Sequence, residues 1–177
     1  MNGPGRIVMN IFAYQVCWWL LVIWGNAPIS LAIAGITVIL HLWFYGRRRA
    51  EWLVLLSIAV VGAACDSGLV YMGVFGGAWA NWGIPLWLVL LWLVFATLFN
   101  VSLTWFHHRL GWAALFGGIG GALSYWGGAR LGAIESLYLW QMICLWAIWT
   151  VLFPLLIGLS RLIYHYDTYE WPWMRRL

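Results

Sequence analysis

The sequence predicts an all-α integral membrane protein, a compact bundle of six transmembrane helices with both termini in the cytoplasm. Three observations predict this fold. Of the 177 residues, 65% are hydrophobic and 8% are charged, which is more apolar than a water-soluble domain of this size. The apolar residues form six runs, each of roughly the 20 residues that cross a bilayer. Nearly all arginines fall on one side of the resulting topology.

Turn residues separate the six apolar runs. The breaks read "GNAP", "YGRRRAE", "GGAWANWGIP", "HHRLG" and "RLGAIES". Residues 165–177 combine aromatic and charged side chains, which is typical of an interfacial tail with Trp171 and Trp173 at headgroup level. The whole chain, 1–177, is therefore predicted to be a single transmembrane domain. Its helices are expected at about 7–24, 28–45, 52–75, 84–106, 111–130 and 138–164.

The distribution of arginine sets the predicted orientation. With the N-terminus inside, Arg130 is the one arginine on the outer side, and the others lie on the cytoplasmic side. This asymmetry predicts a multi-pass protein of a bacterial inner membrane. The arginines are scattered among apolar runs and form no basic patch, so we expect membrane lipids and no nucleic acid as partners. The predicted cytoplasmic arginines are Arg6, Arg47, Arg48, Arg49, Arg109, Arg161, Arg175 and Arg176.

Asp66 is a carboxylate inside the third apolar run, "VGAACDSGLVYMG". It lies about 21 Å along the third helix, in the outer third of the bilayer. An unpaired charge at the bilayer centre costs roughly 2.5–3.5 kcal/mol. Arg130 ends the fifth helix and should lean inward, so we expect an energetically coupled Asp66–Arg130 pair. A polar ligand or proton-handling site, and an unpaired protonated acid, are the alternatives.

A ligand cavity is expected near Asp66. Acid, base and tryptophan side chains in the outer half of the bundle suit an anionic or amphipathic molecule. The many tryptophans are also explained by packing and by lipid contact. The candidate ligand-binding residues are Asp66, Trp87, Trp92, Asn100, Ser124, Tyr125 and Arg130.

The fifth run is rich in glycine. Gly117 and Gly121, and then Ser124 and Gly128, are spaced by four residues, which gives a flat face for close helix packing. We expect Gly117, Gly121 and Gly128 to pack against another helix, either within the chain or in a homo- or hetero-oligomer.

A polar stripe is predicted on the inner half of the fourth helix. Thr97, Asn100 and Thr104 recur at steps of three or four residues, and we expect them to face protein or a water-filled cavity. Membrane enzymes similar to desaturases hold iron with repeated histidine motifs, whereas this chain has one His-His pair, so we predict no metal and no cofactor. The predicted cytoplasmic polar cluster is Asn10, His41, Glu51, Thr104, His107 and His108, with Tyr14 at a similar depth.

Three segments carry a resemblance to a known family: "CDSGLVYMGVF", "PLWLVLLWLVFATLFNVSLTWF" and "GGIGGALSYWGGARLGA". In this order they resemble the bacterial inner-membrane family called domain of unknown function 2878. The chain departs from the family at Ala122, where a proline is common. The resemblance implies an inner-membrane location and no particular reaction. The matching positions are Asp66, Pro85, Trp87, Trp92, Phe95, Asn100, Ser102, Trp105, Gly117, Tyr125, Gly128, Gly132 and Ala133.

Three functions are compatible with these features. The protein could bind or move a small amphipathic or lipid-like ligand in an intramembrane cavity, which the acid, base and tryptophan set favours. It could instead be a lipid- or isoprenoid-modifying enzyme that uses Asp66 or the histidine and glutamate set, although no repeated catalytic motif is present. It could also be a non-catalytic subunit that packs on a partner through the fifth helix.

Overall fold

The computed structural model describes residues 3–45 and 49–170, and for residues 168–170 the backbone alone. Within these ranges the chain is all-helical, and the predicted number of six α-helices is confirmed. Arg47, Arg48 and the tail residues 171–177 lie outside the described residues. The helices are α1 (Gly3–Trp24), α2 (Pro28–Tyr45), α3 (Arg49–Tyr71), α4 (Leu86–Ala96), α5 (Leu110–Arg130) and α6 (Leu139–Glu170). Two 3-10 turns occur at Ala80–Trp82 and Thr104–His108.

Four helices are long and apolar enough to cross a membrane: α1, α2, α3 and the segment Leu139–Asp167 of α6. The 11-residue α4 is apolar but short. The 21-residue α5 contains seven glycines, which lower its hydropathy, and it is not among the four.

The two ends of the bundle are defined by contacts between its loops and helix termini. At the end that holds the start of α1, the Arg6 guanidinium lies over the Tyr45 ring at the end of α2. At the opposite end, Asn26 accepts a hydrogen bond from the Trp87 backbone, and the Glu135 amide donates to Gly76. The helices therefore alternate in direction. We call these ends the N-terminal end and the opposite end.

The fourth helix is shorter than the sequence predicts. The α-helix ends at Ala96, and residues 97–103 continue as turns before the Thr104–His108 3-10 turn. Polar side chains stabilise this break. Asn10 of α1 donates to the Thr97 carbonyl at 3.3 Å, and Thr97 Oγ1 donates to the Val94 carbonyl at 2.6 Å. Apolar periodicity predicted a continuous helix, because the Asn10 contact that stabilises the break comes from a residue distant in sequence.

Glycine allows α5 and α6 to pack closely, and this is the most extensive helix pair. A Cβ atom at Gly117 would lie 2.4 Å from Phe153 Cβ, and one at Gly121 would lie 2.2 Å from Trp149 Cγ. At Gly118 it would lie 2.2 Å from Thr150 Oγ1. Gly128 is different, because an added Cβ would make an ordinary 3.9 Å contact with Ile134. The flat face is therefore covered by α6 of the same chain.

Candidate functional site

Two stacked indoles form the centre of the candidate site. The Trp92 and Trp149 rings are parallel within 5°, with centroids 5.5 Å apart. Gly62 of α3 makes room for one ring, since a Cβ there would lie 2.1 Å from Trp92 Cδ2. Gly121 of α5 makes room for the other. The order across the bundle is thus glycine, indole, indole, glycine.

Asp66 lies one helical turn after Gly62, on the same face of α3. Trp92 Nε1 donates a hydrogen bond to Asp66 Oδ2 at 2.7 Å, and the Tyr125 hydroxyl donates to Oδ1. The Asp66 side chain is fully buried. It therefore fixes one indole and one phenol from two other helices.

The predicted pair between Asp66 and Arg130 is not formed. Arg130 is exposed, and its guanidinium lies 5.4 Å from the centroid of the Trp126 ring. Trp126 is also on the exposed face of α5. The prediction was wrong because it used depth along the helices and took no account of their rotation, which directs Arg130 away from Asp66.

A cavity of about 310 Å³ lies beside the stacked indoles, between α1, α4 and α5. Its wall on α5 runs from Phe116 to Gly128, which is about 18 Å at 1.5 Å per residue. The cavity is therefore elongated along the bundle axis. Its volume is within the range of about 300–1,000 Å³ for small-molecule pockets. Most of its remaining wall is apolar or aromatic, including Trp18, Trp87, Phe95, Phe106 and Phe153.

Three hydroxyl side chains belong to the cavity wall, and the Tyr125 hydroxyl is already bonded to Asp66. Tyr14 and Ser124 are both partly exposed. Among the described residues, neither the Tyr14 hydroxyl nor the Ser124 hydroxyl has a hydrogen-bond partner. For comparison, the Ser67 hydroxyl on α3 donates to the Ala63 carbonyl one turn earlier. A molecule in the cavity could therefore exchange hydrogen bonds with both groups.

The cavity reaches the surface between α1 and α5. Gly120 and Phe116 are both exposed and both belong to the wall, so they form its rim. Nearer the opposite end α1 and α5 are in contact, because a Cβ at Gly127 of α5 would lie 3.3 Å from Trp18 Cη2 of α1. A Cβ at Gly120 would meet no atom within 4 Å. The rim at Gly120 and Phe116 thus lies on the exposed surface of α5.

A second polar cluster lies near the N-terminal end, outside the cavity. Glu51 is buried, its Oε1 is 2.7 Å from His41 Nε2, and its Oε2 accepts hydrogen bonds from Asn100 and the Tyr164 hydroxyl. Asn100 in turn accepts from Ser160 at 2.8 Å. This network connects α2, α3, the 97–103 segment and α6. Asn100 was predicted at the ligand site, and the structure places it here instead.

The other predicted polar residues are dispersed. Thr104 and His108 are exposed, so the polar stripe does not continue inward beyond the 97–103 segment. Asn10 joins Thr97 and Ser102 and does not contact the Glu51 cluster. In the described residues, no group of three or more histidine, cysteine or acidic side chains could hold a metal ion.

His107 contacts the irregular segment instead of joining the Glu51 cluster. The His107 Nε2 lies 3.2 Å from the Phe99 carbonyl oxygen. Arg161 donates a hydrogen bond to the His107 backbone carbonyl. His107 therefore connects the irregular segment to α6 through these two contacts.

Among the residues that sequence reasoning did not assign to these sites are Gly62, Trp149, Ser160 and Tyr164. Two signals were present. Gly62 lies four residues before Asp66, and Ser160 lies four residues before Tyr164, so each pair shares one face of its helix. Neither spacing indicates which helix packs opposite, so the pairing of Trp92 with Trp149 required the structure.

The chain belongs to the family described as "Protein of unknown function (DUF2878)", whose model matches residues 7–155. This confirms the resemblance seen in the sequence. No curated protein and no solved structure matches the chain.

Proposed function

We propose that this protein is a six-span protein of a bacterial inner membrane that binds a lipid-like amphipathic molecule in the cavity between α1, α4 and α5. The observation that carries the proposal is the elongated aromatic cavity with its rim at Gly120. A molecule dissolved in lipid would enter sideways between α1 and α5 without crossing a loop. Such a cavity suits a chain-like molecule because its wall is mostly apolar along about 18 Å.

The proposed orientation puts the N-terminal end of the bundle in the cytoplasm. Arg6, Arg49, Arg109 and Arg161 belong to that end, and Arg130 belongs to the opposite end. An excess of arginine marks cytoplasmic loops. In this topology α4 and residues 97–108 together make the fourth crossing. An irregular segment at membrane depth is tolerated when protein side chains satisfy its backbone, as Asn10 does at Thr97.

Topology is tested with reporters fused after Asn81 and after His108. We expect a periplasm-active reporter to work at Asn81 and a cytoplasm-active reporter to work at His108, because an odd number of crossings separates the two sites. A C-terminal fusion serves as a second cytoplasmic control. Cytoplasmic activity at Asn81 would contradict the six-span topology.

Occupancy of the cavity is tested by native mass spectrometry of protein purified without added ligand. The Gly120→Phe variant should hold at least about tenfold less of a co-purifying lipid-like species, equivalent to about 1.4 kcal/mol of binding. Its added ring enters the rim, where a Cβ meets no atom within 4 Å.

Gly111→Phe is the matched control for this experiment. Gly111 also has open space around an added Cβ. It is nine residues before Gly120, about two and a half turns, and so lies on the opposite face of α5. Equal loss of bound species in both variants, or no bound species in the unmodified protein, would refute the proposal.

The two other functions have less support. The glycine face that suggested a partner subunit is covered by α6 of the same chain. Of the histidine and glutamate side chains that suggested an enzyme, only His41 and Glu51 are joined in the Glu51 cluster, and none of the set belongs to the described cavity wall. A partner or a reaction remains a hypothesis without a specific structural observation in its favour.

A further inference from the structure

We infer that the cavity selects an uncharged amphiphile whose polar group is a hydroxyl, such as a long-chain or isoprenoid alcohol, and excludes charged amphiphiles. This inference rests on the proposed function and names the chemical class of its ligand. The observations that carry it are the lack of an accessible charge in the wall and the two hydroxyl groups without partners.

The charge of the wall is the first observation. Asp66 is the one charged residue of the described wall, and its side chain has no exposed surface. The nearby cation, Arg130, is on the outer face of α5. An anionic headgroup would therefore enter the cavity without a countercharge, which is unfavourable in an apolar environment.

A cationic headgroup is disfavoured for a different reason. Both oxygens of Asp66 already accept hydrogen bonds, one from Trp92 and one from Tyr125. Asp66 belongs to the wall, but its side chain has no exposed surface. An ammonium group could pair with Asp66 only if the stacked indoles moved, and Gly62 and Gly121 hold both rings closely.

The hydroxyls of Tyr14 and Ser124 are the groups that favour a ligand hydroxyl. Each can donate one hydrogen bond and accept others, so together they match a group that also donates and accepts. A ligand hydroxyl has this property, and a hydrocarbon has none. Since a polar group without a partner is costly in an apolar site, an alcohol should bind more tightly than the alkane of the same length.

The test uses a photoactivatable long-chain alcohol with the protein in nanodiscs. Competitors share one alkyl chain and end in a hydroxyl, an ionised carboxylate, a quaternary ammonium or a methyl group. We expect saturable labelling at the cavity wall, located by mass spectrometry. The alcohol should compete at concentrations about tenfold to hundredfold lower than either charged competitor. In a Tyr14→Phe/Ser124→Ala variant, the alcohol should lose its advantage over the alkane while labelling persists.

The outcomes separate this inference from the proposed function. Competition by the carboxylate or the quaternary ammonium as strong as that by the alcohol would overturn the inference and leave the proposed function standing. So would an unchanged preference for the alcohol in the Tyr14→Phe/Ser124→Ala variant. Labelling that is not saturable, or that is equal in the Gly120→Phe variant, would overturn both.

Discussion

Replacing Gly121 by leucine is expected to prevent most of the protein from accumulating in a folded form. A Cβ at this position would lie 2.2 Å from Trp149 Cγ. Trp149 cannot move away, because its ring is stacked on Trp92, and Trp92 is packed on Gly62. Overpacking of a core typically costs about 1–3 kcal/mol and occasionally more, and we expect a loss of about 3 kcal/mol here. The yield of monodisperse protein after membrane extraction measures this effect.

Gly111→Leu is the matched control for the Gly121 variant. It makes the same change in the same helix, where an added Cβ meets no atom within 4 Å. We expect unchanged or slightly higher stability, since glycine is a poor helix former by about 1 kcal/mol. If the Gly121→Leu and Gly111→Leu variants unfold at the same temperature in detergent, that result would contradict the close packing of α5 on α6.

Replacing Asp66 by leucine is expected to have the second largest effect on stability. It would leave the Trp92 indole N–H and the Tyr125 hydroxyl without their acceptor. Interhelical hydrogen bonds in membrane proteins are worth about 0.6 kcal/mol on average and up to about 1.7 kcal/mol. Two of them predict a loss of about 1–3 kcal/mol, measured as a lower thermal unfolding temperature in detergent.

Asp66→Asn distinguishes the hydrogen bonds from the charge. Its amide oxygen can accept from Trp92 and its amide nitrogen can donate to the Tyr125 hydroxyl, so we expect less than about half of the leucine effect. Arg130→Gln should be close to neutral, because Arg130 is exposed. Equal damage from Asp66→Asn and Asp66→Leu would indicate that the negative charge itself stabilises the fold.

Much of the fold follows from the sequence alone. Apolar runs and turn residues determine that the chain is all-helical, and they place Pro28–Tyr45 at its predicted bounds. The glycines that follow the C-terminal ends of two helices can also be recognised in the sequence. Gly73 after α3 and Gly132 after α5 have φ values of 70° and 82°, which glycine adopts without strain. These features are local, because they depend on residues within a few positions of one another.

Tertiary structure decided what Asp66 does. The sequence gives its depth along α3, and this depth suggested Arg130 as its partner. The rotation of α5 about its axis instead turns Tyr125 inward and Arg130 outward. Both helices have low amphipathicity, so hydropathy does not indicate this rotation. The glycine face of α5 does indicate it, since Tyr125 lies four residues after Gly121, but the prediction from depth did not use that face.

The division of the polar residues into two sites also required the structure. Asn100 and Asp66 are both polar residues in apolar runs, and sequence reasoning assigned both to one ligand site. Asn100 contacts Glu51, 49 residues away in sequence, and Asp66 contacts Tyr125, 59 residues away. The sequence determined which residues need partners, since polar groups are costly among apolar ones. Helix packing alone decided which partners they have, because those contacts join helices that are distant along the chain.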